Sequence, residues 1–367
     1  MPRSLRVAYT LLQCWHRVPG GTAVSIISLA EAIAGRGDVE LIGVGPWGSG
    51  LPAEPWTPPI PVARLPLPYQ LVYDGWHHLD RPRVQWATGP VDLVHATTTT
   101  VPPSGGVPLI VTVHDLFPLL APHQFTPRGV LLMTEGIDRA RRADLVLCPS
   151  QSTADDCLAN GFAADRLRVV PWGVNPRRAT GAERSFVRER YRLERPYVLW
   201  VGTVEPRKNL PTLLDAFRGL GPRDLELVLV GPRGWNAGLS THLDGIGDRV
   251  RRLGFVPSSD LPGLYAEASA FCFPSVREGF GLPALEAMVQ ETPVVVSANT
   301  AVSEVVGTGG LTADALDTRQ WIDALESLLD DSSFAAQVGG EGRVRAGGYT
   351  WDRAAGLTVE AYQDAAG

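Results

Sequence analysis

Short apolar runs alternate along the chain with longer stretches whose apolar positions recur at helical spacing, a pattern that predicts a parallel α/β architecture. Arg6–Leu11 reads as a first strand, followed by a Gly20-Gly21 turn. A helix is then predicted from Thr22 to Arg36, with Val24, Ile27, Ala30 and Ala34 on its apolar face. Val39–Val44 is a second strand. Residues 45–68 hold eight prolines in 24 positions, which predicts a long surface loop without regular structure. Leu93–His95, Leu109–His114 and Leu145–Cys148 are short buried strands, and Val169–Val174 closes the first half. A polar, Arg-rich linker is expected over Asn175–Glu194. A second series follows, with strands at Tyr197–Val201, Leu225–Val230, Arg251–Phe255, Ala270–Phe273 and Val294–Ser297, and a closing helix over Trp351–Ala365. No internal repeat interrupts the pattern. The expectation is two doubly wound domains, residues 1–175 and 176–350. Their ligands would bind at the carboxyl ends of the strands, in a cleft between domains.

Composition narrows the function classes. At 367 residues the chain exceeds what one hydrophobic core usually supports. The net charge of −6, with neither half basic, argues against nucleic acid as a partner. Cys14, Cys148, Cys157 and Cys272 form neither a CxxC pair nor a zinc spacing, and Cys148 and Cys272 lie in apolar runs that suit buried free thiols. No apolar run has the length of a membrane span. The first residues, Met1–Leu5, lead into a strand pattern with no signal-like apolar region. A cytoplasmic location is expected, with weak attachment at the inner face of a membrane left open.

Of the 33 basic residues, 32 are Arg and the only Lys is Lys208. Such a bias suggests that position 208 needs a compact ammonium rather than a planar guanidinium. It sits in Gly202-Thr203-Val204-Glu205-Pro206-Arg207-Lys208-Asn209, between a strand and a helix. Two adjacent cations there suit a diphosphate, and equally suit a solvated turn with Asn209 as helix cap. Glu278-Gly279-Phe280-Gly281-Leu282-Pro283-Ala284-Leu285-Glu286 follows strand Ala270–Phe273. Its glycines let backbone approach a ligand, and the helix start offers free amides to a phosphate. Two surface acids around a capped turn would carry the same pattern. Gly20-Gly21-Thr22 resembles a phosphate-binding turn, although the GxGxxG dinucleotide fingerprint is absent. Val111–Asp115 is a strand ending in His114-Asp115, where substrate-contacting groups or a locally bonded His would both fit. A metal pair with His95 and Asp138 is a further option.

Taken together, these blocks resemble the retaining glycosyltransferases of family 4, the group 1 glycosyltransferases, with the GT-B fold. Glu278 to Glu286 is that family's Glu-x7-Glu signature. Gly202–Asn209 matches its phosphate-binding segment. Gly254-Phe255-Val256-Pro257 with Leu261–Tyr265 matches the stretch whose backbone reads the nucleobase. In the N-terminal half the resemblance rests on Gly20-Gly21, His114-Asp115 and Cys148-Pro149-Ser150. The resemblance implies that residues 351–367 pack back on the N-terminal, acceptor-binding domain. It implies that Arg207 and Lys208 neutralise the donor diphosphate and that Glu286 holds the ribose hydroxyls. Glu278, with the amides of Phe280 and Gly281, would hold the donor sugar. Gly21, beside Gly20, would offer an amide to the diphosphate from the opposite domain, and His114 would contact the sugar near the reacting carbon. Thr203, Phe255, Val256, Gly279 and Leu282 complete the implied donor-binding set. Several family members carry Arg where this chain has Thr203, which places more of the charge on Arg207.

The implied reaction is metal-independent transfer of a sugar, with retention, from a nucleotide diphosphate sugar to a hydroxyl of a saccharide or glycolipid acceptor. Surface polysaccharide assembly is the usual setting. The Glu-Pro-Arg-Lys-Asn form with His-Asp points to GDP-mannose first. No cofactor beyond the donor is expected, and no Asp-x-Asp metal motif occurs. Alternatives from the residues alone are a sugar-nucleotide epimerase, a pyridoxal-phosphate phosphorylase using Lys208, or a non-catalytic binding protein. Trp15, Trp47, Trp56, Trp76 and Trp86 suit either sugar stacking or ordinary packing. His77-His78 and the Pro-rich loop are candidate acceptor groups.

Overall fold

The computed structural model describes residues 4–16, 19–124, 126–232, 234 and 241–367. Residues 1–3, on which the reading of the N-terminus partly rests, lie outside them. The chain divides into two compact units, Met1–Gly173 with Trp351–Gly367, and Val174–Thr350.

The first unit is built on a seven-stranded parallel sheet. Its strands are β1 (Leu5–Thr10), β2 (Val39–Gly45), β3 (Val62–Arg64), β4 (Leu93–Ala96), β5 (Leu109–Thr112), β6 (Leu145–Cys148) and β7 (Leu167–Val169), in spatial order β3-β2-β1-β4-β5-β6-β7. The order reverses at β1, which pairs β2 on one side and β4 on the other. That gap is where ligands collect in doubly wound sheets. β4 is buried throughout, as expected of a strand covered on both faces. The closing helix, Trp351–Ala366, belongs to this unit and packs Ala354, Ala355, Val359 and Tyr362 into its core. His95 on β4 anchors it: its Nδ1 lies 2.7 Å from the Tyr362 hydroxyl and its Nε2 2.8 Å from Thr112 Oγ1.

The second unit holds a six-stranded parallel sheet of the same kind, in order β10-β9-β8-β11-β12-β13. Its strands are β8 (Tyr197–Val201), β9 (Glu226–Val230), β10 (Val250–Gly254), β11 (Ala270–Phe273), β12 (Val294–Ser297) and β13 (Leu311–Ala313). Here the order reverses between β8 and β11, which pair through Val198 and Leu199 against Ala270 and Phe271.

Several elements differ from the sequence reading. The first long helix starts at Gly20, not Thr22; Gly20, directly after Pro19, takes φ 64°, a left-handed value that glycine adopts freely. The Pro-rich segment contains a strand after all. β3 is a three-residue edge strand, and edges tolerate flanking prolines. β5 ends at Thr112, so His114 stands beyond the strand rather than at its end. β7 begins two residues before the expected Val169, and Pro171, lacking an N–H, ends the ladder soon after the bond from Val170 N to Cys148 O. The expected linker holds a helix, Gly181–Tyr191, started by a capping box in which Thr180 accepts from Glu183 N while the Glu183 carboxylate accepts from Thr180 N. β10 ends at Gly254, leaving Phe255 in the following loop.

Candidate active site

In the second unit the two loops that leave β8 and β11 lie side by side at the reversal of strand order. After β8 the chain runs through Gly202 and Thr203 into a single 3-10 turn, Pro206–Lys208, and then a helix, Leu210–Gly219. The β8 and β9 loops touch backbone to backbone: a Cβ on Gly231 would fall 2.0 Å from the Gly202 carbonyl oxygen. The backbone carbonyl of Arg207 accepts from Val276 N at 2.9 Å and ties this turn to the loop after β11.

That tie brings the charged residues together. Lys208 is 8% exposed, unusual for a lysine, and it is matched. Its Nζ donates to Glu278 Oε1 at 2.6 Å and stands 4.6 Å from the centre of the Phe273 ring, in cation–π range. Arg207 reaches the other Glu278 oxygen at 3.0 Å and Glu205 Oε1 at 2.7 Å. Two carboxylates and two cations thus balance in one partly dehydrated cluster. Burial alone would keep the Glu278 carboxyl protonated, but Arg207 and then Lys208 outweigh it and hold the group at about 2. Burial, with the neighbouring Arg207, lowers the Lys208 ammonium from its ordinary value, while Glu278 acts in the opposite direction.

Eight residues beyond Glu278, Glu286 projects from the helix Leu282–Val289. Gly281 starts this helix at φ 107°, and a Cβ there would lie 2.7 Å from Val302, so the position requires glycine. Tyr265 donates its hydroxyl to Glu286 Oε2 at 2.9 Å. Burial pushes the Glu286 carboxyl up to about 7, with the tyrosine hydrogen bond acting against it. Phe280 is buried edge-on against Tyr349, at 5.8 Å between rings, so its side chain packs. Val256 and Leu282 are likewise buried, Thr203 is half-buried, and the Phe255 side chain is exposed. Gly279 lies in the loop between Glu278 and Phe280.

In the first unit, Gly20 and Gly21 form the first turn of the Gly20–Arg36 helix, which no side chain caps among the described residues. His114 Nε2 lies 2.7 Å from the Thr97 carbonyl, which can only accept, so Nε2 carries the proton. Its Nδ1 is buried without a hydrogen-bond partner among the described residues and, with the proton on Nε2, can only accept. Burial lowers the pKa of the ring and keeps it neutral near pH 7. The ring lies 5.1 Å from that of Trp172, and both line a small pocket with Thr97, Ser25 and Cys148. Asp115 turns away and accepts from Phe117 N. Cys148 lies beside Cys157, both free and buried, and Ser150 caps the helix Gln151–Ala159.

The metal option around His114 fails on geometry. Both nitrogens of His95 are engaged by Tyr362 and Thr112, and Asp138 pairs with Arg141. No group of three or more metal-ligating side chains occurs among the described residues. His77 is buried beside Glu135, and Trp76 is core, its indole donating to Pro82 O, whereas Trp47 and Trp86 are exposed. Three side chains take roles that the sequence did not assign to them. Phe273, Tyr265 and Trp172 are ordinary apolar or aromatic positions in sequence, and only the neighbours they meet give them a role. No helix among the described residues is long and apolar enough to cross a membrane.

Comparison with known proteins gives a consistent picture. A family model described as Glycosyltransferase Family 4 matches residues 19–178, and one described as Glycosyl transferases group 1 matches residues 195–331. O-antigen chain mannosyltransferase B of Escherichia coli is 34% identical over 69% of this chain and 70% of its own length. D-inositol 3-phosphate glycosyltransferase of Salinispora arenicola is 34% identical over 71% of this chain and 64% of its own. Among solved structures, Anabaena HepE in complex with UDP-glucose superposes with a TM-score of 0.76 at 20% identity, covering 98% of this chain and all of that one. WaaG, a glycosyltransferase involved in lipopolysaccharide biosynthesis, gives 0.67 at 15% identity over 93% of this chain and 95% of its own.

Proposed function

We propose, from the premise that the chain is a glycosyltransferase of family 4 (group 1) with the GT-B fold, that it transfers mannose from GDP-mannose, with retention and without a metal. The acceptor in this reading is a hydroxyl of a saccharide or lipid-linked saccharide built into a surface glycan. The observation that carries it is the pair of half-buried Arg207 and buried Lys208 held against Glu278 at the strand-order reversal of the second unit. A departing nucleoside diphosphate accumulates negative charge on its phosphate oxygens. Fixed, partly dehydrated cations stabilise that charge more than they stabilise the bound donor, which lowers the barrier. Arg207 supplies a planar fork and Lys208 a point charge. Glu278 keeps both cations in place and ionised. The similarity to an O-antigen mannosyltransferase supports mannose as the first sugar to try.

The test is thermal stability of the purified chain against GDP, UDP, ADP and dTDP and their sugar conjugates, with EDTA and with Mg²⁺. A ligand at about 100 times its Kd adds about 2.7 kcal/mol and raises the melting point by a few degrees. A rise with GDP and GDP-mannose that EDTA leaves intact is the expected result. The anomeric configuration of the product, read by NMR, then decides retention. A rise with another nucleotide alone replaces the donor, and no rise with any of them overturns the reading.

A further inference from the structure

We infer that Tyr265 is a positioning residue for nucleotide recognition: its hydroxyl fixes one oxygen of Glu286, so that the other is presented to a vicinal diol. The inference rests on the proposed nucleotide-sugar reading, in which Glu286 meets the ribose.

The geometry is specific. Tyr265 sits in the short helix Leu261–Ala266 and is 1% exposed. Its backbone carbonyl accepts from Thr292 Oγ1 at 2.6 Å, and its ring stands edge-on to Phe271 of β11 at 5.5 Å. The backbone is thus tethered and the ring packed where its hydroxyl meets Glu286 Oε2 at 2.9 Å. Among the described residues Tyr265 is the hydrogen-bond partner of Glu286, at Oε2, and the half-buried residue leaves Oε1 to take its hydrogen bonds from a ligand or from solvent. A carboxylate free to rotate would lose that freedom on binding a diol. One already held by a rigid donor loses little. The same hydroxyl stabilises the charged carboxylate, the form that accepts from two hydroxyls, against the burial that favours its protonation.

The test compares the wild type with Tyr265→Phe, which keeps the ring packing and the Thr292 bond and removes one oxygen. Titration calorimetry with GDP, UDP and ADP, and with the 2′,3′-dideoxy form of whichever binds, is run across about pH 6–9. The expected result is an affinity loss of about fivefold to tenfold for the ribonucleotide near pH 7, as for one ordinary hydrogen bond. That loss shrinks as pH rises, because without the tyrosine the carboxyl needs a higher pH to ionise. The dideoxy form binds both proteins alike. Equal losses for both nucleotides, or no loss for either, overturn the positioning role while leaving the nucleotide-sugar reading in place. A wild type that binds none of the three overturns that reading and this inference with it.

Discussion

Lys208 Nζ and Glu278 Oε1 stand 2.6 Å apart although 70 residues separate them in the chain. Each comes from a loop at the carboxyl end of a different strand, and the pairing of β8 with β11 makes them neighbours. Without a diphosphate the ammonium already has a counter-charge, so neither ion is stranded in a dehydrated place. An incoming phosphate then adds to an ordered pair instead of ordering a loose one.

Lys208→Ala is expected to lower kcat by about 10²–10³, the cost of one preorganised charge in a transition state. Lys208→Arg should recover little, because the guanidinium must fit between Phe273 and the Gly202 backbone. Steady-state kinetics with the donor identified by thermal shift, beside melting curves of both variants, check this. An Ala variant retaining most of the wild-type kcat would remove Lys208 from the mechanism.

Glu278→Gln should destabilise the protein most at neutral pH and least in acid. The folded carboxyl is held at about 2, below the ordinary carboxylate value near about 4.3. Its stabilising contribution is thus complete above the unfolded value and disappears as pH falls toward about 2. The difference in melting temperature between wild type and variant should narrow below about pH 4. A constant difference across that range contradicts the ion-pair account.

Glu286 predicts the opposite slope. Its folded value, raised to about 7, exceeds the unfolded one, so the folded state binds the extra proton between them and stability falls as pH rises through that window. Glu286→Gln removes this slope. The variant's melting temperature relative to wild type should be higher at about pH 8 than at about pH 5. Parallel curves at the two pH values would show that burial does not govern this carboxyl.

Tyr362→Phe should weaken the first unit by about 1–3 kcal/mol, the cost of leaving a buried polar atom without its partner. The atom is His95 Nδ1, and the His95 ring is kept neutral by burial, which lowers it to about 3. Urea unfolding followed by tryptophan fluorescence reads the change. A midpoint equal to wild type would mean that the closing helix is held by its apolar face alone.

Gly281→Ala tests the helix start beneath Glu286. The variant would carry a Cβ at φ 107° and 2.7 Å from Val302, so a loss of about 1–3 kcal/mol is expected from backbone strain, before any packing clash. Nucleotide binding should fall with it, since Glu286 rides on that helix. A variant that melts and binds like wild type would show that the loop has room to relax.

The α/β class, the strands Leu145–Cys148, Tyr197–Val201, Ala270–Phe273 and Val294–Ser297, and the family to which the charged loops belong are legible in the residues alone. Those strands are legible because a parallel strand covered on both faces must be continuously apolar, a property local to four or five residues. The loop motifs are legible because the only Lys of the chain and the Glu278-to-Glu286 spacing stand out locally. Gly181–Tyr191 was hidden by its polarity: only Val187 is buried, and a capping box rather than an apolar face starts it. β3 was hidden by its prolines, which an edge strand tolerates. That Lys208 meets Glu278, that Tyr265 meets Glu286 and that His95 clasps Tyr362 emerges from the packed fold. Each of those contacts joins residues far apart in the chain, and its geometry depends on which strands lie side by side and on the burial of both partners. Those are properties of the packed sheet, and no window of sequence contains them.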